Sequence, residues 1–299
     1  MIKVFRRNRN RIRQTKFDTV IDIINIVILL SFVVIIAYPV ISYLSLAFSS
    51  GVRNSEVVLF PVGWTIEPFR WLIAGGGSDI FMGAVRNSVF ITLVVTIGSN
   101  LIMALAAYPL SKPSFPFRKF WLMFFIVTML FSAGIVPIWL LMLTLNLINS
   151  IWSLILISMS NVFHMLLFKT FFENLPSDME EAARIDGASA IKVFCKIVIP
   201  LSLPIFGTTA FFTLVGTWNS YGAALLFISA NATESWTLAY YIFMQISTAG
   251  DVIHDPWLIA NMQNVTAAAI VVSIVPILLV YPYIMKYIKS GLTIGSVKG

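Results

Sequence analysis

The sequence predicts an all-α integral membrane protein of about six transmembrane helices. Its residues are 59% hydrophobic and only 11% charged, whereas a soluble domain carries about 25% charged residues. Several apolar stretches are long enough to cross a bilayer core, which takes about 20 residues per helix. These stretches are apolar throughout, whereas the strands of a membrane β-barrel alternate between apolar and polar residues.

The chain divides into three predicted parts. A basic cytoplasmic segment over residues 1–19 precedes a transmembrane domain over residues 20–285, and a cytoplasmic tail over residues 286–299 follows. Because residues 20–48 are too long for the apolar core of a signal peptide, we expect them to remain as the first helix. The predicted spans are residues 20–48, 85–110, 120–143, 151–172, 205–228 and 263–285.

Two long connections are predicted to lie outside the membrane on the same side. They cover residues 52–82 and 229–262 and are rich in aromatic residues, among them Trp64 and Trp71 in the first and Trp236 in the second. Because tryptophan favours the headgroup region, we expect the first connection to pack on the membrane surface with Trp64 and Trp71 as anchors, and the second is similar in composition.

The distribution of Lys and Arg predicts the orientation. Seven basic residues precede the first span, three lie in the second connection, four lie in or beside the fourth connection, and three lie in the tail. These make up 17 of the 20 basic residues. Since basic loops stay in the cytoplasm, both termini are predicted to be cytoplasmic. The net charge of +7 then reflects membrane orientation, and we expect no nucleic-acid partner.

The connection between the fourth and fifth spans, residues 173–204, has the sequence features of a soluble helical hairpin. Ser177 and Glu180 have the spacing of a capping box, which predicts a short helix over about residues 178–186. Gly187 predicts a left-handed stop. A second amphipathic helix is expected to begin after Ser189 and to be ended by Pro200 and Pro204. Its apolar side is predicted to contain Ile191, Phe194, Ile197 and Val198.

The order of residues in this connection is similar to the EAA motif of permease subunits of ABC importers. Glu181-Ala182-Ala183 is followed by Gly187 and later by Ile197 and Ile199-Pro200, with Ile199 where that family usually has Leu. The stretch from Lys286 to Gly299 is similar to the tail of carbohydrate-uptake permeases of the maltose-permease type, and Trp218-Asn219 also resembles that branch.

The resemblance implies the type I ABC importer permease fold, in which residues 173–204 form a coupling helix that docks on a separate ATPase subunit. Glu180 and Glu181 would offer acceptors to Arg side chains of that subunit, and two small alanines would allow close approach. The residues implied in coupling are Glu180, Glu181, Ala182, Ala183, Asp186, Gly187 and Pro200.

The same resemblance implies the partners and the location of the chain. The expected partners are a second, related permease chain, two cytoplasmic ATP-binding subunits, an extracytoplasmic solute-binding protein and the lipid bilayer. The expected location is the bacterial inner membrane, and the expected substrate is a carbohydrate, in particular an oligosaccharide.

No chemistry of an enzyme is visible in the chain. It lacks a GxxxxGK[ST] phosphate loop, so ATP and Mg²⁺ are expected on the partner subunits and no cofactor on this chain. His164 and His254 lie in different segments, and the single Cys195 has no metal-ligand spacing to either. We therefore expect a transporter subunit without its own ATPase or metal site, in a complex that hydrolyses ATP.

Two alternatives stay open: an ion-coupled secondary carrier and an ABC importer permease for another small polar solute. Few acidic residues lie within the predicted spans, which argues against ion coupling. Polar and aromatic residues at mid-depth are candidates for the substrate path, because sugars form hydrogen bonds and stack on rings. They are Asn161 and His164 in the fourth span and Trp218, Asn219 and Tyr221 in the fifth. Each can instead join helices or pack in the core.

Overall fold

The computed structural model describes residues 16–50, 58–131, 133–247 and 256–295. Within these ranges the chain is helical and contains no β-strand. Four segments are long and apolar enough to cross a membrane, namely Val20–Ala47, Ser78–Ser111, Ile151–Glu173 and Asn261–Tyr283, and the described residues give up to six spans if two bent helix pairs each count as one. The predicted all-α membrane class is confirmed.

The helices follow one another in the order α1 (Lys16–Ala47), α2 (Glu67–Ala74), α3 (Ser78–Ser111), α4 (Arg118–Leu130), α5 (Ile135–Thr144), α6 (Ile151–Ser158), α7 (Val162–Glu173), α8 (Ser177–Ile185), α9 (Ala190–Val193), α10 (Ile199–Leu201), α11 (Leu203–Trp218), α12 (Gly222–Phe227), α13 (Leu238–Ser247) and α14 (Pro256–Gly295). A π-helical turn, Phe194–Val198, joins α9 to α10, and a 3₁₀ turn occupies Thr233–Ser235.

The third predicted span, residues 120–143, is not one straight helix. It consists of α4 and α5, whose axes differ in direction by 102°. Gly134 between them has φ of +85°, a conformation that glycine adopts without strain. Because the whole stretch is apolar, hydropathy alone predicts a continuous span.

The fourth and fifth predicted spans also contain breaks. Residues 151–172 form α6 and α7, which are separated at residues 159–161, and residues 205–228 form α11 and α12, which are separated at residues 219–221. Asn161 and Asn219 lie at these breaks. Asparagine competes for backbone hydrogen bonds and so favours helix ends over helix interiors.

The second and sixth helices are longer than predicted. α3 begins at Ser78 rather than at residue 85, within the connection assigned to residues 52–82. α14 begins at Pro256 and continues to Gly295, so most of the predicted tail over residues 286–299 is helical. Hydropathy marks the part of a helix that lies in lipid and not its polar ends. Residues 1–15 of the predicted basic segment, His254 and residues 296–299 lie outside the described residues.

Buried apolar residues form two clusters along α3. One surrounds the first half of α3, including Phe81 and Val95, and takes in residues of α13 and α14. The other surrounds the last turns of α3 around Leu110, together with Phe168 of α7 and Val193 of α9. The second cluster fixes the segment after α8 to the bundle.

The predicted outer connection over residues 229–262 is partly buried in the protein. Trp236 is only 8% exposed. The Asn87 side-chain amide of α3 donates to the carbonyls of Glu234 at 2.8 Å and Trp236 at 2.9 Å, and the Leu238 backbone N–H donates to Ser88 Oγ at 2.7 Å. Trp236 therefore packs in the core, because α3 satisfies the polar backbone of this segment there.

Asn264 of α14 joins that helix to the end of α1. Its amide nitrogen donates to the carbonyls of Leu46 at 2.9 Å and Ser49 at 2.8 Å. The last carbonyls of a helix lack partners within the helix, so a side chain from elsewhere commonly satisfies them. Asn264 is fully buried, and water therefore cannot replace the amide.

We predict that Asn264→Ala destabilises the protein by about 1–3 kcal/mol, because the buried Ser49 carbonyl loses its donor and the Leu46 carbonyl keeps only the Ser49 N–H. The thermal unfolding midpoint of the purified protein in detergent measures this loss. Asn261→Ala is the matched control, since the Asn261 amide donates to Trp257 of its own helix at an exposed position. Equal midpoints for the two variants would contradict the prediction.

Candidate functional site

The short helix predicted after the fourth span is present as α8, but the predicted capping box is absent. Pro176 is at the N-cap position and gives no side-chain cap, and Ser177 Oγ lies 3.4 Å from Asp178 Oδ1. Acidic residues in the first turn and Arg184 in the last turn complement the helix dipole. The helix is therefore stabilised by charge placement and tertiary contacts rather than by a Ser–Glu box.

Glu180 is turned into the protein, which explains the missing box. Its side chain accepts a hydrogen bond from Lys112 Nζ at 2.6 Å and one from the Tyr108 hydroxyl at 3.2 Å. Tyr108 lies in the last turn of α3, and Lys112 is the residue that follows α3. The residue is only 7% exposed. Both carboxylate oxygens are therefore bonded within the chain, and the contact of Glu180 with a partner subunit stays a prediction.

The neighbouring residues of α8 remain accessible. Glu181, Ala182 and Asp186 are exposed, whereas Ala183 is half-buried against the second apolar cluster. Ile185 is 86% exposed. Exposed apolar residues beside charged ones are typical of surfaces that bind another protein.

Gly187 forms the predicted left-handed corner after α8. Its φ is +77°, which confirms the prediction. The Gly187 N–H donates to the Arg184 carbonyl at 3.0 Å, and the Ala188 N–H donates to the Ala183 carbonyl at 2.9 Å. These two bonds make up a Schellman motif. The corner is a defined structure and not a flexible loop.

The second arm of the hairpin differs from its prediction at one residue. Ser189 caps it as expected, accepting from the Lys192 N–H at 3.4 Å. Ile191, however, is 77% exposed and does not join the buried apolar side. The helix continues to Leu201 and then bends by 77° into α11, so it ends between Pro200 and Pro204, as expected. The π-helical turn before Pro200 widens the backbone ladder and tolerates its missing N–H.

A second set of ionic contacts lies beside the first. Arg118 at the start of α4 pairs with Glu173 at the end of α7, and its Nε donates to the Leu110 carbonyl of α3 at 2.7 Å. Lys169 also pairs with Glu173 at 2.9 Å. The end of α3 is therefore bonded to α4, and α4 is bonded to α7. Lys112 bonds the end of α3 to α8.

Two of the predicted substrate-path residues line a cleft of about 180 Å³. Trp218 ends α11 and donates through its indole N–H to the Ser273 carbonyl at 2.9 Å, and Asn219 follows it with an exposed side chain. The other lining residues are Leu238, Ala239, Ile242, Ile270 and Ser273. Ser273 and Ile242 come from distant segments, and no signal in the sequence indicates that they line a cleft.

The other three candidates lie elsewhere. The Asn161 side chain caps α7 by accepting from the His164 N–H at 3.1 Å. His164 is buried, with Nδ1 at 3.3 Å from Thr213 Oγ1 of α11. Tyr221 stacks on Phe243 with ring centroids 4.9 Å apart. Within the described ranges, no three His, Cys, Asp or Glu residues form a group that could hold a metal ion.

Comparison with known proteins gives consistent matches over most of the chain. The family described as binding-protein-dependent transport system inner membrane component matches residues 99–294. The polygalacturonan/rhamnogalacturonan transport system permease protein YtcP of Bacillus subtilis (strain 168) is 34% identical, over 91% of this chain and 96% of that protein. The galactooligosaccharides transport system permease protein GanQ of the same organism is 30% identical, over 91% and 94%.

A solved structure gives the same result. It is described as a bacterial ABC transporter involved in the import of the acidic polysaccharide alginate. One of its chains superimposes with a TM-score of 0.81 at 30% identity, covering 92% of this chain and 98% of that chain. The match extends beyond the hairpin to the whole helical bundle.

We predict that Gly187→Ala weakens the corner by about 1–2 kcal/mol, because a residue with a Cβ is strained in the left-handed region. An added Cβ meets no atom within 4 Å, so the strain comes from the backbone alone. Hydrogen–deuterium exchange of residues 183–190 is expected to accelerate about five- to thirtyfold.

Gly187→Asn and Gly216→Ala are the controls for this prediction. Asparagine tolerates the left-handed conformation and should keep exchange close to that of the wild type. Gly216 lies inside α11, where an added Cβ also meets nothing. Unchanged exchange in Gly187→Ala would show that the corner does not need glycine.

Proposed function

This chain belongs to the family of binding-protein-dependent transport system inner membrane components, and on that premise we propose that it forms the translocation path of an ATP-driven importer for a carbohydrate oligomer. It is a transport permease subunit, and ATP is hydrolysed by separate subunits of the complex. The family match favours this function over the ion-coupled carrier that the sequence left open.

The observation that carries the proposal is the exposed part of α8 and its corner. Glu181, Ala182 and Ile185 are accessible on a helix that the Glu180–Lys112 ion pair joins to α3. Such a helix can transmit the closure of a partner ATPase to the transmembrane helices, since rigid elements move as units when an interface closes. Glu181, Asp186 and Gly187 are its proposed coupling residues, with Ala182, Ala183 and Pro200 shaping the hairpin.

The proposed substrate follows from the cleft and from the relatives. Trp218 and Asn219 supply an aromatic ring and an amide beside the apolar wall formed by α13 and α14. Rings and amides suit sugars, which have apolar faces and many hydroxyl groups. The relatives are named for polygalacturonan, rhamnogalacturonan and galactooligosaccharides. We propose an oligosaccharide, and the uncharged cleft lining is compatible with neutral and acidic units.

The proposed assembly contains this chain, a second related permease chain and two cytoplasmic ATP-binding subunits that hold ATP and Mg²⁺. A solute-binding protein delivers the sugar from outside. The complex lies in the bacterial inner membrane with both termini of this chain in the cytoplasm, as the positions of the basic residues favour. ATP binding closes the ATPase pair, α8 transmits the closure, and the cleft alternates between the two sides.

Reconstitution of the purified complex in liposomes tests this function. We expect ATP hydrolysis to rise when both the solute-binding protein and its oligosaccharide are present, and not with either alone. A panel of galactooligosaccharides and oligogalacturonides identifies the substrate. Sugar uptake driven by a proton or sodium gradient without ATP would contradict the proposal.

The same assay tests the cleft. Asn219→Ala is expected to raise the sugar concentration for half-maximal uptake about tenfold, because a hydrogen bond to a buried hydroxyl is lost. Asn261→Ala, on a residue that does not line the cleft, is the control. If the two variants need the same sugar concentration for half-maximal uptake, the substrate binds outside the cleft.

A further inference from the structure

The end of α3 makes more contacts with the hairpin than the ion pair alone. Lys112 Nζ lies 4.9 Å from the centroid of the Tyr108 ring as well as bonding to Glu180. The Tyr108 ring contacts Phe172 of α7 and Phe194 after α9, with centroid distances of 6.2 Å and 5.0 Å. We call Tyr108, Lys112 and Glu180 the α3–α8 contact. It joins α3 to α8 and packs against α7 and the second arm of the hairpin.

The ion pair in this contact is shielded from water. The Lys112 and Glu180 side chains are 25% and 9% exposed, respectively, whereas those of the surface pair Arg70–Glu67 are 64% and 50% exposed. An exposed pair contributes little, because water screens it. Removing one member of a shielded pair leaves an unpaired charge in a poorly hydrated site, which is strongly unfavourable.

The connections of α8 explain why this contact matters. The helix is joined to α7 by residues 174–176 and to α9 by the corner at Gly187. Between those ends, Ala183 packs against the second apolar cluster and Glu180 bonds to Tyr108 and Lys112. The bonds of Glu180 tie α8 to α3 and oppose rotation of the short helix about its own axis.

The two adjacent glutamates therefore have different surroundings. Glu181 is exposed on α8, and Glu180 is buried against α3. We infer that Glu180 is a positioning residue, whose ion pair with Lys112 makes α8 and α3 move as one body during transport. The inference rests on the proposed function, because it gives the route by which ATPase closure reaches the transmembrane helices. α3 also carries Asn87 and Ser88, which bond the backbone of the segment that leads into α13. Leu238 of that segment lines the cleft, so motion of α3 reaches the substrate path.

Charge reversal in the assembled complex tests this inference. We expect Glu180→Lys and Lys112→Glu each to lower sugar uptake per ATP hydrolysed by at least about tenfold, because like charges separate α8 from α3. The double variant Glu180→Lys/Lys112→Glu restores the pair and is expected to recover to within about threefold of wild type. The ratio of uptake to hydrolysis is the readout, since lower expression alone would not change it.

Asp178→Lys is the matched control, because Asp178 is an exposed acidic residue of the same helix that is not among the proposed coupling residues. Combining it with Lys112→Glu is expected to give no recovery, because the ion pair of Lys112 is with Glu180. Two further variants, Glu180→Gln and Lys112→Met, remove the charges without repulsion and should also lower the ratio. A wild-type ratio in both neutral variants, or no recovery in the double reversal, would overturn the inference.

The outcomes distinguish the inference from the function on which it rests. The proposed function would be contradicted if the wild-type complex took up no sugar when the binding protein and ATP were both supplied. An active wild-type complex with normal Glu180 and Lys112 variants would contradict only the positioning role of the pair.

Discussion

The ion pair between Glu180 and Lys112 determines how the hairpin after α7 is attached to the rest of the protein. The pair lies where α3, α7 and the second arm of the hairpin meet, and the Tyr108 ring beside it packs against Phe172 and Phe194. Because the side chains are largely shielded from water, their attraction is stronger than that of a surface pair. This contact leaves the opposite face of α8 free, with Glu181 and Ile185 accessible for a partner. The coupling surface and its attachment are thus two faces of one short helix.

The sequence predicted the fold class and the hairpin well, because both depend on local chemistry. Long apolar runs can only be helices in a bilayer, where every backbone group must be satisfied within the segment. The left-handed corner at Gly187 and the cap at Ser189 also follow from single residues and their neighbours. The resemblance to importer permeases agrees with the family match over residues 99–294. These features require no knowledge of which helices touch.

The remaining features depend on contacts between distant residues and could not be predicted. Ser177 and Glu180 have capping-box spacing, yet Lys112 competes for the same carboxylate and binds it instead. Apolar composition conceals the bend at Gly134, and hydropathy does not register the polar start of α3 at Ser78. Trp218 and Asn219 share a cleft, whereas Asn161 and His164 form the bonds between and within helices that polar residues commonly make in membranes.

We expect α8 and α3 to move together when the complex binds ATP. Spin labels on cysteines at Ile185 of α8 and Leu105 of α3, both exposed, measure the distance between these helices by pulsed electron paramagnetic resonance. The exposed native cysteine is first removed by Cys195→Ser. We expect one narrow distance distribution that is the same without nucleotide and with a non-hydrolysable ATP analogue. A second distance that appears only with the analogue would show that α8 moves independently of α3.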